Sequence, residues 1–319
     1  MGIWRIGVDE LAASRFVVSP MAETVAAFLL LSDGPAPPAH RAWRDQHRGA
    51  FRRYLDESPS ASALVTHMAG VNWLPDYLSG PPHLTDRGVH DGLRRVRETP
   101  AEVAIADLGV GHAGPVPAVL TQPDVALRTA ELLDWVWTRT VRPDWPRRQR
   151  LFEADIVART ARLSSGGWAA ALDGLRPGMR WLGDGQLQIN TIDNPPRDLG
   201  RGELTFVPAS ARRGWVAWEL PHRYSIVYPV AGALIAEDDS SPRALSALLG
   251  PVRAGILARL ASPASTSQLV AVTGYGLGTV GGHLKVLLDA QLVRRRRSGR
   301  SVLYYRTEIA ETLLSANGG

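Results

Sequence analysis

Residues 276–281 have the glycine spacing of a loop that could cradle a dinucleotide. The stretch reads Gly276-Leu-Gly278-Thr-Val-Gly281, a G-x-G-x-x-G, and the apolar run 269–272 precedes it. Dinucleotide-binding folds place these glycines between a strand and a helix, with an acid about 20 residues further on and more sheet beyond. Here arginines occupy 294–297, and the 38 residues after Gly281 are too few for a doubly wound sheet. The sequence therefore argues against a nucleotide site.

A helix–turn–helix accounts for the same residues more fully. Residues 267–273 predict a short helix that Ser265 or Thr266 can cap, 274–276 predict a turn, and 277–290 predict a second helix. A short helix, a turn with glycine and a second helix form the motif that places one helix in the DNA major groove. The core between the two helices would consist of Val270, Val280, Leu284, Leu287 and Leu288.

A basic β-hairpin is predicted directly after this motif. Its strands are 292–297 and 301–306, and Ser298-Gly299-Arg300 forms the turn. Arginines on such a hairpin would contact phosphates or the minor groove. Alternation along a strand divides Arg294–Arg297 between two faces, so we expect about two of them to face the DNA backbone directly.

The segment 249–307 resembles the winged-helix domain of ArsR/SmtB-type transcriptional regulators. The resemblance rests on Pro251-Val-Arg253 in the opening helix, on Thr279-Val280 followed by "HLKVL", on "AQLV", and on the hairpin "RRSGRSVLYY". It implies a homodimer that binds a palindromic operator, usually as a repressor released by a ligand. The DNA-contacting positions are then Thr279, Gly281, Gly282, His283, Lys285, Arg294, Arg295, Arg296, Arg297, Ser298 and Arg300.

The chain departs from that family at two places. The metal-binding members carry a cysteine pair in the short helix, whereas residues 265–273 contain none, which argues against metal sensing there. Gly281 and Gly282 occupy positions that are usually polar and contact bases. Each glycine costs a helix about 1 kcal/mol relative to alanine, so we expect Thr279, Lys285 and the hairpin arginines to supply most of the affinity.

Other residues with catalytic or metal-ligating chemistry form no specific pattern. His40, Asp45 and His47 share a predicted helix, and a turn-rich region holds a second group. That group is His83, Asp86, His90 and Asp91. Such spacing could hold a metal, but no H-E-x-x-H is present, so surface or core histidines are the simpler interpretation. A second G-x-G-x-x-G at 109–114 is followed by prolines and predicts a loop. We find no G-x-S-x-G elbow and expect no catalytic residue, metal or cofactor.

All ten tryptophans precede the predicted winged helix. Core packing explains them most simply. Alternatively, some of them line an apolar pocket for a small effector, since such pockets are mostly apolar and aromatic. The candidates for that pocket are Trp135, Trp168, Trp181, Trp215 and Trp218.

Positive charge is concentrated in the last quarter of the chain. Residues 241–319 hold ten basic and three acidic residues, a net charge of +7, whereas residues 1–240 have a net charge of −2. A basic module on a near-neutral body predicts a polyanionic partner for that module alone. No apolar run reaches the ~18 residues of a membrane span, and the N-terminus shows no secretory pattern. The chain has no cysteine, in keeping with a reducing cytoplasm.

The pattern of elements predicts an α+β protein in two parts. Residues 1–236 form a body that serves sensing or dimerisation, helical over 1–165 and with a small antiparallel sheet over 178–235; 241–319 form the winged helix. The acidic, serine-rich stretch 237–242 is the predicted linker. The body also resembles, on "VRPDWPRRQRLFEADIVARTARL" and "SIVYPVAGAL", the long uncharacterised domain that precedes such a winged helix in some regulators.

From the sequence we expect a cytoplasmic DNA-binding regulator. Its partners would be double-stranded DNA, a second copy of itself and a small apolar effector, with no membrane. Two alternatives stay open: an enzyme with a DNA-binding tail, and a protein-interaction module whose winged helix binds a partner instead of DNA.

Overall fold

A computed structural model of the chain shows the α+β class that the sequence predicts. It describes residues 2–32, 38–69, 73–172, 174–192, 194–230, 243–260, 263–298 and 301–315. The predicted linker at 237–242 lies outside these ranges.

The described helices divide into a group before residue 173 and a group after residue 242. The helices are α1 (Val8–Ala13), α2 (Pro20–Ser32), α3 (Pro38–Glu57), α4 (Pro59–Met68), α5 (Asp76–Ser79), α6 (Val89–Glu98), α7 (Ala101–Gly109), α8 (Val125–Val136), α9 (Trp145–Leu172), α10 (Arg243–Leu249), α11 (Pro251–Arg259), α12 (Thr266–Thr273), α13 (Leu277–Asp289) and α14 (Glu308–Ser315). A π-helical turn, Trp137–Val141, and a 3₁₀ turn, Arg142–Asp144, join α8 to α9, and a further 3₁₀ turn covers Ala118–Leu120.

The described strands form three sheets. The strands are β1 (Gly2–Arg5), β2 (Arg15–Phe16), β3 (Arg180–Gly183), β4 (Gln186–Asn190), β5 (Arg197–Asp198), β6 (Glu203–Ala209), β7 (Trp215–Glu219), β8 (Arg223–Pro229), β9 (Ala264–Ser265), β10 (Val293–Ser298) and β11 (Ser301–Arg306). The N-terminal sheet has the order β3-β4-β1-β5, the central sheet β2-β6-β8-β7, and the C-terminal sheet β10-β11-β9.

The central sheet separates two hydrophobic cores. β2 and β8 run parallel to β6, and β7 runs antiparallel to β8. Because successive side chains of a strand point to opposite faces, Val207 and Ala209 pack into a helical core on one face. Leu204 and Phe206 pack into a second core on the other face. The sheet is therefore covered on both sides.

The helical core is built around α2. Nine residues of α2 are buried, from Ala22 to Leu31, as expected of a helix that is apolar all round. Trp43 of α3, Leu64 of α4 and Leu93 of α6 contribute to the same core. None of the helices in the described part of the chain is both long and apolar enough to cross a membrane.

One ion pair is sealed between α2 and α9. Nη1 of Arg148 lies 2.5 Å from Oε1 of Glu23, and neither side chain is exposed at all. The second oxygen of Glu23 accepts the backbone N–H of Ser210 at 2.7 Å, and Nη2 of Arg148 donates to the carbonyl of Thr140 at 3.0 Å. These bonds join α2, α9 and the end of β6.

The second core lies between the central sheet, α9 and the N-terminal sheet. Trp4 of β1, Phe152 of α9 and Leu187 of β4 are buried in it. The prediction of a single antiparallel sheet over 178–235 is wrong: there are two four-stranded sheets, and both contain parallel pairs. The prediction that 1–165 is mainly helical is confirmed, and the loose strand-like alternation at 3–8 overlaps β1; β1 and β2 join the two sheets. Gly2 pairs with Asn190, a contact that local periodicity does not reveal.

The helix α9 is interrupted at Gly167, near its C-terminal end. Gly167 has φ 66° and ψ −171°, which is not helical and which glycine adopts most easily. Nη1 of Arg159 donates to the carbonyl of Ala171 at 3.2 Å, although twelve residues of straight helix span about 18 Å. The segment after Gly167 therefore folds back. Arg159 also binds Asp155 at 2.9 Å, and Asp155 accepts the Tyr228 hydroxyl at 2.9 Å, which ties α9 to β8.

The described residues between 243 and 315 pack around a third core. Leu245 of α10, Leu257 of α11, Leu269 of α12 and Leu284 of α13 are buried there together. Arg306 links β11 to α11, because its guanidinium donates to the carbonyls of Leu257 and Ala258 at the end of α11. Cations stabilise a helix C-terminus in this way.

The helix α12 lies between two of the cores. Ser265 caps it: its hydroxyl accepts the Gln268 N–H at 3.3 Å, while the Gln268 side chain accepts the Ser265 N–H at 2.8 Å. Leu269 faces the third core, whereas Val272 packs against the second core of the body. α12 also contacts α9. The helix before the turn is thus in direct contact with the body.

Candidate nucleic-acid interface

The glycines near residue 280 belong to a helix and not to a phosphate-binding loop. Gly274 has φ 71°, in the left-handed region, and ends α12. Gly276 is the residue before α13, and Gly278 and Gly281 lie within α13. A dinucleotide loop would need these glycines ahead of the helix, so the structure agrees with the rejection of a nucleotide site.

One side of α13 packs and the other side is bare. Val280, Leu284 and Leu287 are buried in the third core. On the outer side, a Cβ added at Gly278, Gly281 or Gly282 would meet no atom within 4 Å. The predicted contacts Thr279 and Lys285 are exposed, and His283 is half-buried.

Replacing Gly281 and Gly282 by alanine is expected to raise the free energy of unfolding. Both lie inside a helix, where alanine is favoured by about 1 kcal/mol per site, and both have free space for a Cβ. Urea denaturation of the full chain should show a gain of about 1–2 kcal/mol for the double variant. As a matched control, Gly214→Ala should destabilise, because Gly214 has φ 69° and a Cβ there would collide with the Val227 carbonyl. A loss of stability in the α13 variant would contradict the helical placement.

The predicted basic hairpin is present next to α13. Arg294, Arg295, Arg296 and Arg297 pair across the ladder with Tyr305, Tyr304, Leu303 and Val302. All four arginines are exposed, and none forms an ion pair with any residue in the described ranges. Ser298 pairs with Ser301 at the end of the ladder, while Gly299 and Arg300 lie outside the described residues.

The two faces of the hairpin carry different pairs of arginines. Alternate residues of a strand lie on the same face of a sheet, so Arg295 and Arg297 share a face with Val293, which is buried in the third core. Arg294 and Arg296 occupy the opposite face. Arg306 is bound to α11 as described above, so a position in the hairpin does not by itself make an arginine available for a partner.

The five tryptophans proposed for an effector pocket do not meet in one cavity. Trp135 and Trp215 pack in the helical core, whereas Trp168, Trp181 and Trp218 pack against the second core. The central sheet lies between the two sets. Trp215 and Trp218 are both on β7, but their side chains point to opposite faces because they are three residues apart.

Members of the two predicted histidine and aspartate groups form ion pairs or are neutral. Asp86 binds Arg95 through both oxygens at 2.6 Å, and Nε2 of His83 lies 3.1 Å from a Glu219 oxygen. Burial lowers the pKa of His40 to about 4, with the Arg148 charge as a further cause, so this histidine is neutral. In the part of the chain that the structure describes, no three such side chains are arranged to hold a metal.

The second glycine motif, 109–114, forms the expected loop. It follows α7, and His112 in this loop stacks on His67 of α4 with ring centroids 3.7 Å apart and planes 7° apart. The two rings line an open groove of about 660 Å³ together with Ser62, Thr66 and Pro117. No helix begins at these glycines to bind a phosphate.

Sequence reasoning missed an acidic pair between α5 and α7. Burial, with the charge of the neighbouring Asp107 as a second cause, raises the pKa of Asp76 to about 7, although a hydrogen bond from Trp218 and the charge of Arg197 oppose the shift. An Oδ2 of Asp107 accepts the Tyr77 N–H at 2.8 Å, so this carboxylate caps α5. The two aspartates are 31 positions apart in the chain, and only the packing of α5 on α7 brings them together.

Asp76 is expected to make the stability of the body depend on pH. Its pKa in the folded chain is above its ordinary value of 3.8, so the folded state binds the proton more tightly. The stabilising contribution is complete below about pH 4 and is lost as the pH rises to about 7. Because the group is partly exposed, we expect Asp76→Asn to gain about 1–2 kcal/mol over the native chain at pH 8. Denaturant melts at pH 5 and pH 8 measure this, with Asp45→Asn as the exposed control; an equal pH dependence in both variants would contradict the assignment.

Two further residues near the interface carried no sequence signal. Leu277 is 62% exposed and Tyr275 is 44% exposed. The sequence predicts Tyr275 in a turn and Leu277 at the start of a helix. Only the packing of α12 and α13 shows that both side chains are exposed.

No protein-family model, no curated protein and no solved structure matches the chain. The functional assignment therefore depends on the residues themselves.

Proposed function

We propose that this chain is a DNA-binding transcription regulator whose C-terminal module, residues 243–315, acts as a winged helix. The observation that carries the proposal is the row Arg294–Arg297, four exposed guanidinium groups that have no carboxylate partner in the described ranges. They lie on a two-stranded hairpin that follows α13 directly. Four like charges left unpaired on one hairpin are suited to a polyanion.

The shape of the module favours duplex DNA as that polyanion. α12, the turn 274–276 and α13 have the order of a helix–turn–helix, and α13 exposes the side that is not needed for the core. A helix placed in the major groove brings a following hairpin to the sugar–phosphate backbone. Thr279 and Lys285 would contact the DNA from α13, and the hairpin arginines would neutralise phosphates.

The proposed regulation depends on the contact between α12 of the C-terminal module and α9 of the body. We propose a homodimer on a palindromic operator, with recognition helices about 34 Å apart, that represses until a small apolar effector binds the body. Val272 of α12 packs in the second core beside α9. A shift of α9 on effector binding would therefore move α12, and with it α13. Since chromosomal DNA is the partner, the proposal places the protein in the cytoplasm.

Fluorescence anisotropy on labelled duplexes tests the proposal. The probes are 30-base-pair fragments from the region upstream of the chain's own gene, titrated at 50 and 200 mM salt. The affinity should fall about 100-fold between the two salt concentrations if all four arginines release counterions, and about tenfold if only the two on one face do. Arg52→Ala combined with Arg53→Ala, two exposed arginines of α3, should change nothing. Absence of binding, or binding that does not respond to salt, would contradict the proposal and favour an acidic protein partner.

Sedimentation velocity tests the dimer separately. The chain has a mass of 34.6 kDa, so a single species of twice that mass is expected at micromolar concentration. A monomer that binds DNA with one-to-one stoichiometry would leave the DNA-binding proposal in place and refute the dimer.

A further inference from the structure

The outward side of α13 offers almost no hydrogen-bonding side chains to a base pair. Over the first two turns the exposed residues are Leu277, Gly278, Thr279 and Gly282, so Thr279 is the one exposed side chain there that can form a hydrogen bond. Bidentate readout of guanine or adenine needs arginine, lysine, asparagine or glutamine. Lys285 is the first such residue along α13 and lies in its third turn.

Two exposed apolar side chains lie at the start of α13 and in the turn just before it. Leu277, the first residue of α13, is 62% exposed, and Tyr275, in the turn before it, is 44% exposed. An exposed leucine on its own needs no explanation. These two, however, lie at the end of the helix that recognition helices insert most deeply, in a module whose hairpin carries four arginines without an ion pair in the described ranges.

The positive charge of the hairpin indicates the kind of partner that would cover these apolar groups. Arg294–Arg297 form no ion pair with any described residue, so the module that includes Leu277 complements a polyanion. In the major groove of duplex DNA the apolar group available to a side chain is the C5-methyl of thymine. The N-terminal residues of a recognition helix contact the base edges, and Leu277 is the first residue of α13.

We propose that Leu277, with Tyr275 beside it, reads thymine methyl groups in the major groove, so that the operator is distinguished by methyl contacts more than by hydrogen bonds to bases. This inference rests on the proposed function and specifies its partner: a duplex with thymines at the position that faces the start of α13. Lys285 and the hairpin arginines hold the helix in place without reading sequence.

Removing single methyl groups from the DNA tests the inference. The probe is a 30-base-pair duplex that the full chain selects from a random pool, with each thymine replaced in turn by deoxyuridine, which pairs identically but lacks the methyl. At one or two positions per half-site we expect a three- to fivefold loss of affinity, roughly the value of one buried methyl. Replacing that thymine–adenine pair by 5-methylcytosine–guanine should weaken binding less than replacement by cytosine–guanine, because the methyl is restored.

Variants of the chain assign the effect to Leu277. Leu277→Ala should bind the thymine and deoxyuridine duplexes equally. Val286→Ala is the matched control: Val286 is 43% exposed on the same helix, but nine residues on it lies about 180° around the axis, so it should keep the discrimination. Circular dichroism confirms that both variants fold.

The outcomes distinguish failure of the methyl-readout inference from failure of the proposed DNA-binding function. If no duplex is retained from the pool, the DNA-binding function itself is refuted. If duplexes bind but tolerate deoxyuridine at every position, or if Leu277→Ala still discriminates, DNA binding stands and methyl readout by Leu277 is wrong.

Discussion

Replacing Arg294, Arg295, Arg296 and Arg297 together by alanine is expected to weaken duplex binding by at least about 100-fold at 100 mM salt. The four side chains are exposed and have no ion pair within the described ranges, so their replacement leaves no buried charge behind. Each phosphate contact that is lost should lower the slope of log affinity against log salt by about 0.9. Anisotropy titrations at four salt concentrations give both quantities.

The two faces of the hairpin allow a sharper form of this experiment. The pair Arg294 and Arg296 and the pair Arg295 and Arg297 lie on opposite faces. If one face meets the DNA backbone, one double variant should lower the slope by about two and the other by much less. Equal and small changes in both would indicate that the hairpin does not touch the duplex, even though the chain binds it.

Removal of Arg148 is expected to have the largest effect on stability. The guanidinium and the Glu23 carboxylate are completely enclosed and hydrogen-bonded at 2.5 Å. Arg148→Met leaves a carboxylate buried without its counter-charge, which costs about 3–5 kcal/mol. Urea denaturation of the full chain measures the loss.

Two controls separate this buried pair from ordinary surface pairing. The double variant Glu23→Gln with Arg148→Met should recover much of the stability, since the amide keeps an acceptor for the Ser210 N–H while the charge is gone. Arg128→Ala breaks the exposed pair with Asp124 and should change stability by less than about 1 kcal/mol. A double variant as unstable as the single one would show that the cost comes from packing and not from the unpaired charge.

The C-terminal elements could be predicted because their signals are local. The capping pair of Ser265 and Gln268, the left-handed Gly274, and the spacing of Val280, Leu284 and Leu287 each act within a few residues. The hairpin followed from Ser298-Gly299-Arg300 between two basic and apolar runs. The α+β class followed from the change of period near residue 178.

The body was predicted less well because its contacts are remote in sequence. β1 is completed by β4, more than 180 positions away, and β2 joins β6 in parallel. A four-residue strand carries too little pattern to announce such pairing. The tryptophans failed as a pocket for the same reason, since residue type does not say on which side of a sheet a ring will pack.

Residue type alone also does not show which arginines are available to bind a partner. Arg306 and Arg294 are both arginines of one hairpin, yet Arg306 is bound to the end of α11 and Arg294 is free of any described partner. Leu277 looked like a helix residue among others, and only packing shows it exposed. Function at this surface depends on which groups remain unpaired after folding.

Hydrogen exchange of the full chain with and without a selected duplex tests the central claim most directly. We expect DNA to protect the amides of the turn and the start of α13, residues 274–282, and of the hairpin strands 293–298 and 301–306, with smaller changes in α9 through its contact with α12. Protection confined to the body, or none in α13 while the duplex is bound, would contradict the placement of this helix against DNA.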